Sequence, residues 1–403
     1  MTAILQGIRV IDWTVFQVGP YASAMLADLG ADVIHLEPRG NGDLLRGLNP
    51  TLGVDVVVKG RQINFEEHNR NKRSLAIDLA KPTSKEIVRR LVQKSDVLVT
   101  NYRPEPIDKL GMDYKTLSRH NPKIIYASAS GFGTKGPDRN SPSLDILAQA
   151  KSGAMWAAGE PGGPPTYPVP NIGDRATSFM LAYGVLAALL GRERFGIGQE
   201  LSVSQLGTMI VLQGFALMWD LMLGKEYPRK GKSKPENPLY NLYRCQDDRW
   251  IILCSINRAG EWENFCKAIG RIDLSVNPRF ATDADRRNNA AEISAILDDV
   301  FASRQSEEWI QTFKEWDVFG TRIERLRDLP GNPQVLANDH IIEWDHPIWG
   351  KRQFPGFPVH FSETPAELRS AAPELGQHNE EILTEICGYS WDEVERFREQ
   401  NVI

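Results

Sequence analysis

The residue best set for covalent chemistry is Asp174. It follows the Gly/Pro-rich stretch Gly159–Pro170, sits in the run Asn171-Ile172-Gly173-Asp174-Arg175, and precedes a long helix expected over Ser178–Arg192. A carboxylate near a helix start is favoured in its ionised form by the dipole and neighbouring donors, and can act as a nucleophile. Aspartate there is equally at home as a plain N-cap. Asp145, within SLDILAQAKSG, carries the same two readings. Arg175 either points to solvent, as most arginines do, or recognises the carboxylate of an acid substrate, for which a planar guanidinium is well shaped.

Three clusters sit at expected strand ends and suit anion binding: Arg39–Arg46 (RGNGDLLR), Asn69–Ser74 (NRNKRS) and Asn101–Arg103 (NYR). Such charge runs are most often solvated surface. Their functional reading is that Lys72, Arg73 and Arg103 meet phosphates. Trp13 and Trp156 lie near the expected active-site loops, with Tyr167 just before Asp174; if they face the pocket instead of the core, they favour a bulky or aromatic acid.

Several chemistries are excluded by missing patterns. No GxxxxGK[ST] loop exists, since Gly131–Gly136 (GFGTKG) has the wrong spacing, and this disfavours ATP-driven ligation. The first strand-to-helix loop, VFQVGPYA, offers only Gly19 where a dinucleotide fingerprint needs three glycines. The seven histidines form no HExxH pair and the four cysteines no CxxC pair, so no metal is expected. Lys+Arg 47 against Asp+Glu 52 gives a net charge of −5, which attracts neither nucleic acid nor an anionic membrane. The first residues lack a basic region followed by a long apolar run, and the apolar stretches Phe179–Leu190 and Thr208–Trp219 are too short to span a bilayer. A cytoplasmic protein with free thiols is the expectation.

The elements that must position these residues follow a β/α alternation. Gly7–Trp13 reads as a buried strand, Thr14–Pro20 as a loop with Pro20 at helix position N1, Tyr21–Leu29 as a helix closed by Gly30, and Ala31–Leu36 as a second strand. Further strands are expected at Asp96–Thr100, Lys123–Ser128 and Gln199–Val203, with helices at Ser84–Lys94 and near Tyr114–Arg119. This is an α/β, Rossmann-like parallel sheet that binds ligands at its carboxyl ends. The expected organisation is a large domain over residues 1–205, a linker over 206–235, a smaller α+β domain over 236–325, and a C-terminal return over 326–403 with Glu374–Arg398 helical.

The chain resembles the class III coenzyme A transferases (CaiB/BaiF type), which include formyl-CoA and carnitine CoA-transferases. The stretches that carry the resemblance are VGPYASAMLADLGADVIHLEPRGNGD, NRNKRSLAIDLAKP, TNYRPEPIDKLGMDY, SGFGTKGP, SLDILAQAKSG, IGDRATSFMLAYGVLAALLGRERFGIGQELSVS and APELGQHNEEIL, in order along nearly the whole chain. Residues 225–370 match more loosely.

The resemblance implies that Asp174 attacks a donor acyl-CoA thioester and forms a mixed anhydride. The released CoA thiolate then gives an aspartyl-CoA thioester, which an acceptor carboxylic acid discharges. No permanently bound cofactor is implied, only CoA thioesters as substrates. It also implies that Gln17 and Val18 lie beside the CoA thiol, Arg39 near the adenine, and Lys72, Arg73, Asn101, Tyr102 and Arg103 along the phosphates and pantetheine arm. An interlocked homodimer of ring-like subunits is the implied assembly. Gly131–Gly136 and Gly173 are candidate backbone donors for developing oxyanions.

Three departures stand out. The region Cys254–Gly260 (CSINRAG) lacks the glycine-rich loop of formyl-CoA transferases, Ser178 replaces a common glycine, and Arg175 adds a cation. The related α-methylacyl-CoA racemases carry a proton-transferring histidine where this chain has Leu144, so racemase chemistry would lose one of its two bases. A catalytically silent CoA-binding subunit of a hetero-oligomer is the third reading, opposed by the presence of Asp174. The acids themselves stay open, with succinyl-CoA or acetyl-CoA as first donors to try.

Overall fold

The computed structural model describes residues 3–229, 231–232, 235–255 and 260–403. The chain divides into two compact units, one of residues 1–154, 169–217 and 333–403, the other of residues 155–168 and 218–332.

The first unit is built on a six-stranded sheet. Its strands are β1 (Arg9–Trp13), β2 (Asp32–Pro38), β3 (Lys72–Ile77), β4 (Val97–Thr100), β5 (Ile125–Ser130) and β6 (Gln199–Ser204). All neighbours run parallel, in the order β3-β2-β1-β4-β5-β6. This is the doubly wound Rossmann order. Its topological switch lies between β1 and β4, so a crevice opens beyond their carboxyl ends. β4 (VLVT) is near-continuously apolar, and β1 and β2 bury Val10, Ile11, Val33, Ile34 and Leu36, because the sheet is covered on both faces.

The helices that matter for the site are α1 (Val18–Asp28), α2 (Ile63–Asn69), α3 (Pro82–Gln93), α4 (Pro104–Leu110), α5 (Asp145–Lys151), α6 (Ile172–Phe195) and α7 (Gln205–Leu212). On one face of the sheet, α1 and α6 pack through Leu26, Ala27, Leu181, Ala182 and Val185 against Val10, Val33 and Val99. On the other, α3 and the C-terminal residues Ile382, Leu383, Val394 and Phe397 cover Ile11, Ile34, Leu75 and Leu98.

Local chemistry accounts for several boundaries that differ from the expectation. α1 begins at Val18, so Pro20 falls on the third helical residue; Gly19 is needed there because a Cβ would lie 2.3 Å from Thr14 Cγ2. α6 begins at Ile172, a turn and a half before Ser178, and so takes Asp174 into its first turn. The expected linker is in large part helical. α7 is followed by a helix over Gly214–Leu223, because the apolar run from Leu206 is broken only at Gln213. Glu374–Arg398 is not one helix: it holds a short turn, a π-helical turn at Ile382–Ile386, and a helix over Trp391–Glu399 capped by Ser390 and Glu393.

The C-terminal part docks through polar contacts. His346 Nε2 donates to Glu66 Oε2 at 3.1 Å, while its Nδ1 accepts from the backbone of Ile348 and Trp349. Arg61 joins Glu66 to Glu374 and the Ala372 carbonyl.

The second unit holds a three-stranded antiparallel sheet of β7 (Leu242–Arg244), β8 (Trp250–Leu253) and β9 (Gly320–Arg322), with β8 central. Helices pack on it around Tyr243, Ile251, Phe265, Phe301, Trp309 and Phe313. Residues 256–259 of the CSINRAG segment lie outside the described residues. Among the described residues no single helix is long and apolar enough to cross a membrane, and no group of His, Cys, Asp and Glu is placed to hold a metal ion.

Candidate active site

Asp174 is the third residue of α6, where an N-cap reading would have its carboxylate bond the helix's own amides. It does not. The amides are taken by Asp145, at the start of α5: the Asp174 N–H donates to Asp145 Oδ1 at 3.1 Å and the Asn171 N–H to Asp145 Oδ2 at 3.1 Å. Gln149 Nε2, one turn along α5, donates to the same Oδ2 at 2.8 Å. Gly173 makes this approach possible, since a Cβ there would lie 2.9 Å from Asp145 Oδ1. The cap thus comes from a neighbouring helix, and the Asp174 side chain is released from that task.

Gln205, the first residue of α7, receives the released carboxylate: its Nε2 donates to Asp174 Oδ1. Among the described residues, Asp174 Oδ2 has no hydrogen bond. Burial pushes the Asp174 carboxyl up to about 7, and the Asp145 charge adds to this, while the Gln205 bond and Arg175 hold it down. A carboxylate with a pKa near neutrality is more basic and more nucleophilic than an ordinary one, yet still substantially ionised at pH 7.

Ser178 closes the other side. Its hydroxyl lies 2.8 Å from the Val18 carbonyl and 2.9 Å from the Asp174 carbonyl, which ties α6 to the first residue of α1. Val18 is buried. Gln17, just before it, has its Oε1 buried without a partner among the described residues.

The loop between β1 and α1 is fixed from three sides. Asn101, at the end of β4, donates to the Val15 carbonyl at 2.7 Å and accepts from the Val15 N–H at 2.9 Å, across the topological switch. Asp43 accepts from the Phe16 N–H at 3.4 Å. His68 Nδ1 donates to the Phe16 carbonyl at 3.1 Å, so its Nε2 is left to accept from Arg175 Nη2, also at 3.1 Å. Burial, with the nearby Arg175 charge, holds His68 well below its usual pKa, so it stays neutral and in this tautomer. Phe16 has φ of 63°, a left-handed conformation that costs a phenylalanine energy and that these bonds sustain.

Arg175 does not point to open solvent. Its Nη2 pairs with Glu67 Oε2 at 2.6 Å, and its guanidinium lies 3.9 Å from the centre of the Tyr21 ring.

The sheet's carboxyl ends hold some of the expected anion-binding groups and not others. Arg103, after β4, is exposed and has no ion pair among the described residues. Arg39, after β2, is exposed and donates to Ile403 O at 2.8 Å and Asn401 Oδ1 at 2.9 Å. Tyr102 stacks on Trp13 with ring centres 4.6 Å apart.

Three expectations are corrected. Lys72 is buried, and its ammonium spends three donors on Asp12 Oδ2 (2.7 Å), Pro20 O (2.8 Å) and Asn69 Oδ1 (2.8 Å), which leaves none for a phosphate. Burial depresses the Lys72 ammonium. Burial alone would raise the Asp12 carboxyl, but the Lys72 and His35 charges overcome it and carry Asp12 far below the usual range. Arg73 is the second residue of β3, at the amino end of the sheet, where it donates from Nη2 to Asp32 Oδ1 and from Nη1 to Glu381 Oε1, both at 2.6 Å. Trp13 is 2% exposed and part of the core, not a pocket wall. Trp156, by contrast, is exposed and donates to Glu226 Oε1 at 2.5 Å beneath Arg229.

Sequence reasoning missed Gln205. The available signal was its place directly after a parallel strand, one residue past the Ser204 N-cap, where side chains face the carboxyl-end crevice.

Comparison with known proteins gives these features a context. A family model described as CoA-transferase family III matches residues 5–379. The acetyl-CoA:oxalate CoA-transferase of Acetobacter aceti is 32% identical over 385 residues, covering 94% of this chain and 95% of that one. The formyl-CoA:oxalate CoA-transferase of Rhodopseudomonas palustris strain BisA53 is 30% identical, covering 100% and 98%. A CAIB/BAIF family protein from Brucella suis superposes with a TM-score of 0.85 at 29% identity, over 96% of this chain and 100% of that chain. With its parallel sheet, its Asp145-capped helix and its Asp174 carboxylate, the chain belongs to CoA-transferase family III.

Proposed function

We propose that this enzyme moves CoA from a donor acyl-CoA to an acceptor carboxylic acid by covalent catalysis on Asp174. The observation that carries the reading is the state of that carboxylate: relieved of capping by Asp145, pushed up to about 7, and with Oδ2 uncommitted. Oδ2 attacks the thioester carbonyl and the C–S bond breaks, giving an aspartyl mixed anhydride and CoA thiolate. The thiolate attacks the aspartyl carbonyl, expels the donor acid and leaves aspartyl-CoA. The acceptor carboxylate then runs the sequence in reverse. Thioester is exchanged for thioester, so no phosphate-bond energy is required. Retaining CoA between steps keeps each attack effectively unimolecular.

Gln17 and Val18 border the thiol end of CoA in this reading. Arg103 and Arg39 meet its phosphates and adenine, and Asn101 and Tyr102 shape the crevice between them. The unpaired buried Gln17 oxygen and the open Arg103 guanidinium support this. Homodimerisation is proposed as well: α6 and α7 leave Phe179, Tyr183 and Val211 exposed at 42%, 66% and 73%, apolar surface that a second copy would cover. Leu144 is 63% exposed and has no proton to exchange, so this chain lacks the second base of a racemase.

Intact-protein mass spectrometry after incubation with succinyl-CoA, acetyl-CoA and further acyl-CoAs tests the mechanism. A CoA-sized adduct on the wild type, absent from Asp174→Ala and removed by hydroxylamine, is the expected result. Equal labelling of both proteins removes Asp174 from its role.

A further inference from the structure

The bond from Gln205 to Asp174 is more specific than general support for a carboxylate. An amide can be turned either way, and here both ends are held: the acceptor-only Asp174 Oδ1 takes the Nε2 end, and the Ser143 hydroxyl donates to Oε1 at 2.8 Å. Gln205 is 6% exposed, and its amide is flanked by the N-terminal turn of α7, where Ser204 accepts from the Gly207 N–H at 3.0 Å. The donor is therefore fixed before any substrate arrives.

We infer that Gln205 is the oxyanion donor for chemistry at the aspartyl carbonyl, with Ser143 as the positioning residue that orients it. The inference rests on the proposed nucleophilic role of Asp174. Once Oδ2 has attacked the donor thioester, Oδ1 is the carbonyl oxygen of the anhydride. When CoA thiolate attacks Cγ, the C=O electron pair moves onto Oδ1; its return expels the donor carboxylate with the Cγ–Oδ2 bond. The same charge develops on Oδ1 when the acceptor carboxylate attacks aspartyl-CoA and thiolate leaves. No proton is transferred in either step, so a preformed N–H aimed at Oδ1 is what stabilises both transition states. It also assigns the oxygens: Oδ1 is held, and Oδ2 attacks.

The experiment uses the full chain and the donor from the succinyl-CoA and acetyl-CoA panel that labels the wild type. The variants are Gln205→Ala, Gln205→Glu, Ser143→Ala and Asp174→Ala. Steady-state kcat and KM are measured together with the rate at which acceptor acid discharges a preformed CoA adduct in a quenched time course. Removing one oxyanion donor typically costs ~10²–10³ in kcat. A loss of that order is expected for both Gln205 variants, with the donor KM within about twofold of wild type. Adduct discharge should slow in proportion. Ser143→Ala leaves the amide free to turn and should lose roughly tenfold, a fraction of the full oxyanion term.

If Gln205→Ala folds with wild-type circular dichroism and keeps kcat within twofold, the inference is wrong while the Asp174 reading stands. If Asp174→Ala still carries the adduct, both fall. Should Gln205→Ala fail to fold, the near-isosteric Gln205→Glu decides: wild-type discharge by that variant overturns the inference, and slowed discharge at unchanged KM supports it.

Discussion

The carboxylate of Asp145 caps the helix that carries Asp174, accepting the Asp174 N–H at 3.1 Å, so one acid does the structural work that leaves the other free for chemistry. The two charges also oppose each other, and burial together with that repulsion keeps the Asp174 carboxyl near neutrality.

Asp145→Asn removes the charge and weakens the cap. The acid limb of kcat/KM against pH, set near 7 by Asp174, should move to lower pH because a like charge has gone. Thermal or urea melts should show a loss of about 1 kcal/mol, the usual cost of an impaired cap. An acid limb that stays in place would separate Asp145 from the titration of Asp174.

Asp174→Asn should stabilise the fold at alkaline pH. The native carboxyl keeps its proton up to about 7, whereas the ordinary value for a free aspartate is 3.8, so the wild type loses stability as pH rises between those values. An amide carries no such cost. The variant should gain about 1–3 kcal/mol at pH 8, a range discounted for the partial solvent exposure of the site, and the gain should vanish by pH 4. Urea melts at both pH values check this.

Lys72→Met leaves the Asp12 carboxylate buried without its cation. Breaking such a pair costs about 3–5 kcal/mol. The expected result is a large fall in urea midpoint with an unchanged KM for the acyl-CoA in the folded fraction. A raised KM with unaltered stability would return Lys72 to the phosphate-binding role that its buried contacts argue against.

Arg103→Ala should raise the acyl-CoA KM about three- to tenfold, the effect of losing a single partly exposed charge contact of about 1 kcal/mol. The difference from wild type should shrink in 0.5 M salt, at roughly twice the screening of physiological solution. A KM that is indifferent to the substitution at low salt removes Arg103 from the CoA site.

The fold was legible in the sequence because its strands are short apolar runs spaced by helices, a pattern that permits few arrangements. The place of Asp174 beside the start of a long helix was legible through its Gly-Asp setting. What could not be read was the identity of the group facing each side chain. Lys72 and Arg73 look alike as part of a basic cluster, yet β3 starts at Lys72, which points one ammonium into the Asp12 pocket and leaves the neighbouring guanidinium at Asp32 and Glu381. Gln205 and Ser143 are 62 residues apart and carry no charge, so neither announces itself without the third dimension. Arg175 reads as a surface cation until α2 brings Glu67 and His68 to it.

The outer strand of the sheet has a consequence for how the chain is made. β3 lies at one end of the strand order, and its exposed ladder is satisfied by a distant segment: the Ser74 N–H donates to His378 Nδ1 at 3.1 Å and the Ala76 N–H to Asn379 Oδ1 at 2.8 Å. These partners are synthesised about 300 residues after the strand. Until they emerge, a nascent chain presents a naked template for pairing with other chains, the hazard inherent in any unprotected sheet edge. Emergence of His378 and Asn379, rather than completion of the six strands, is then the point at which this edge becomes protected.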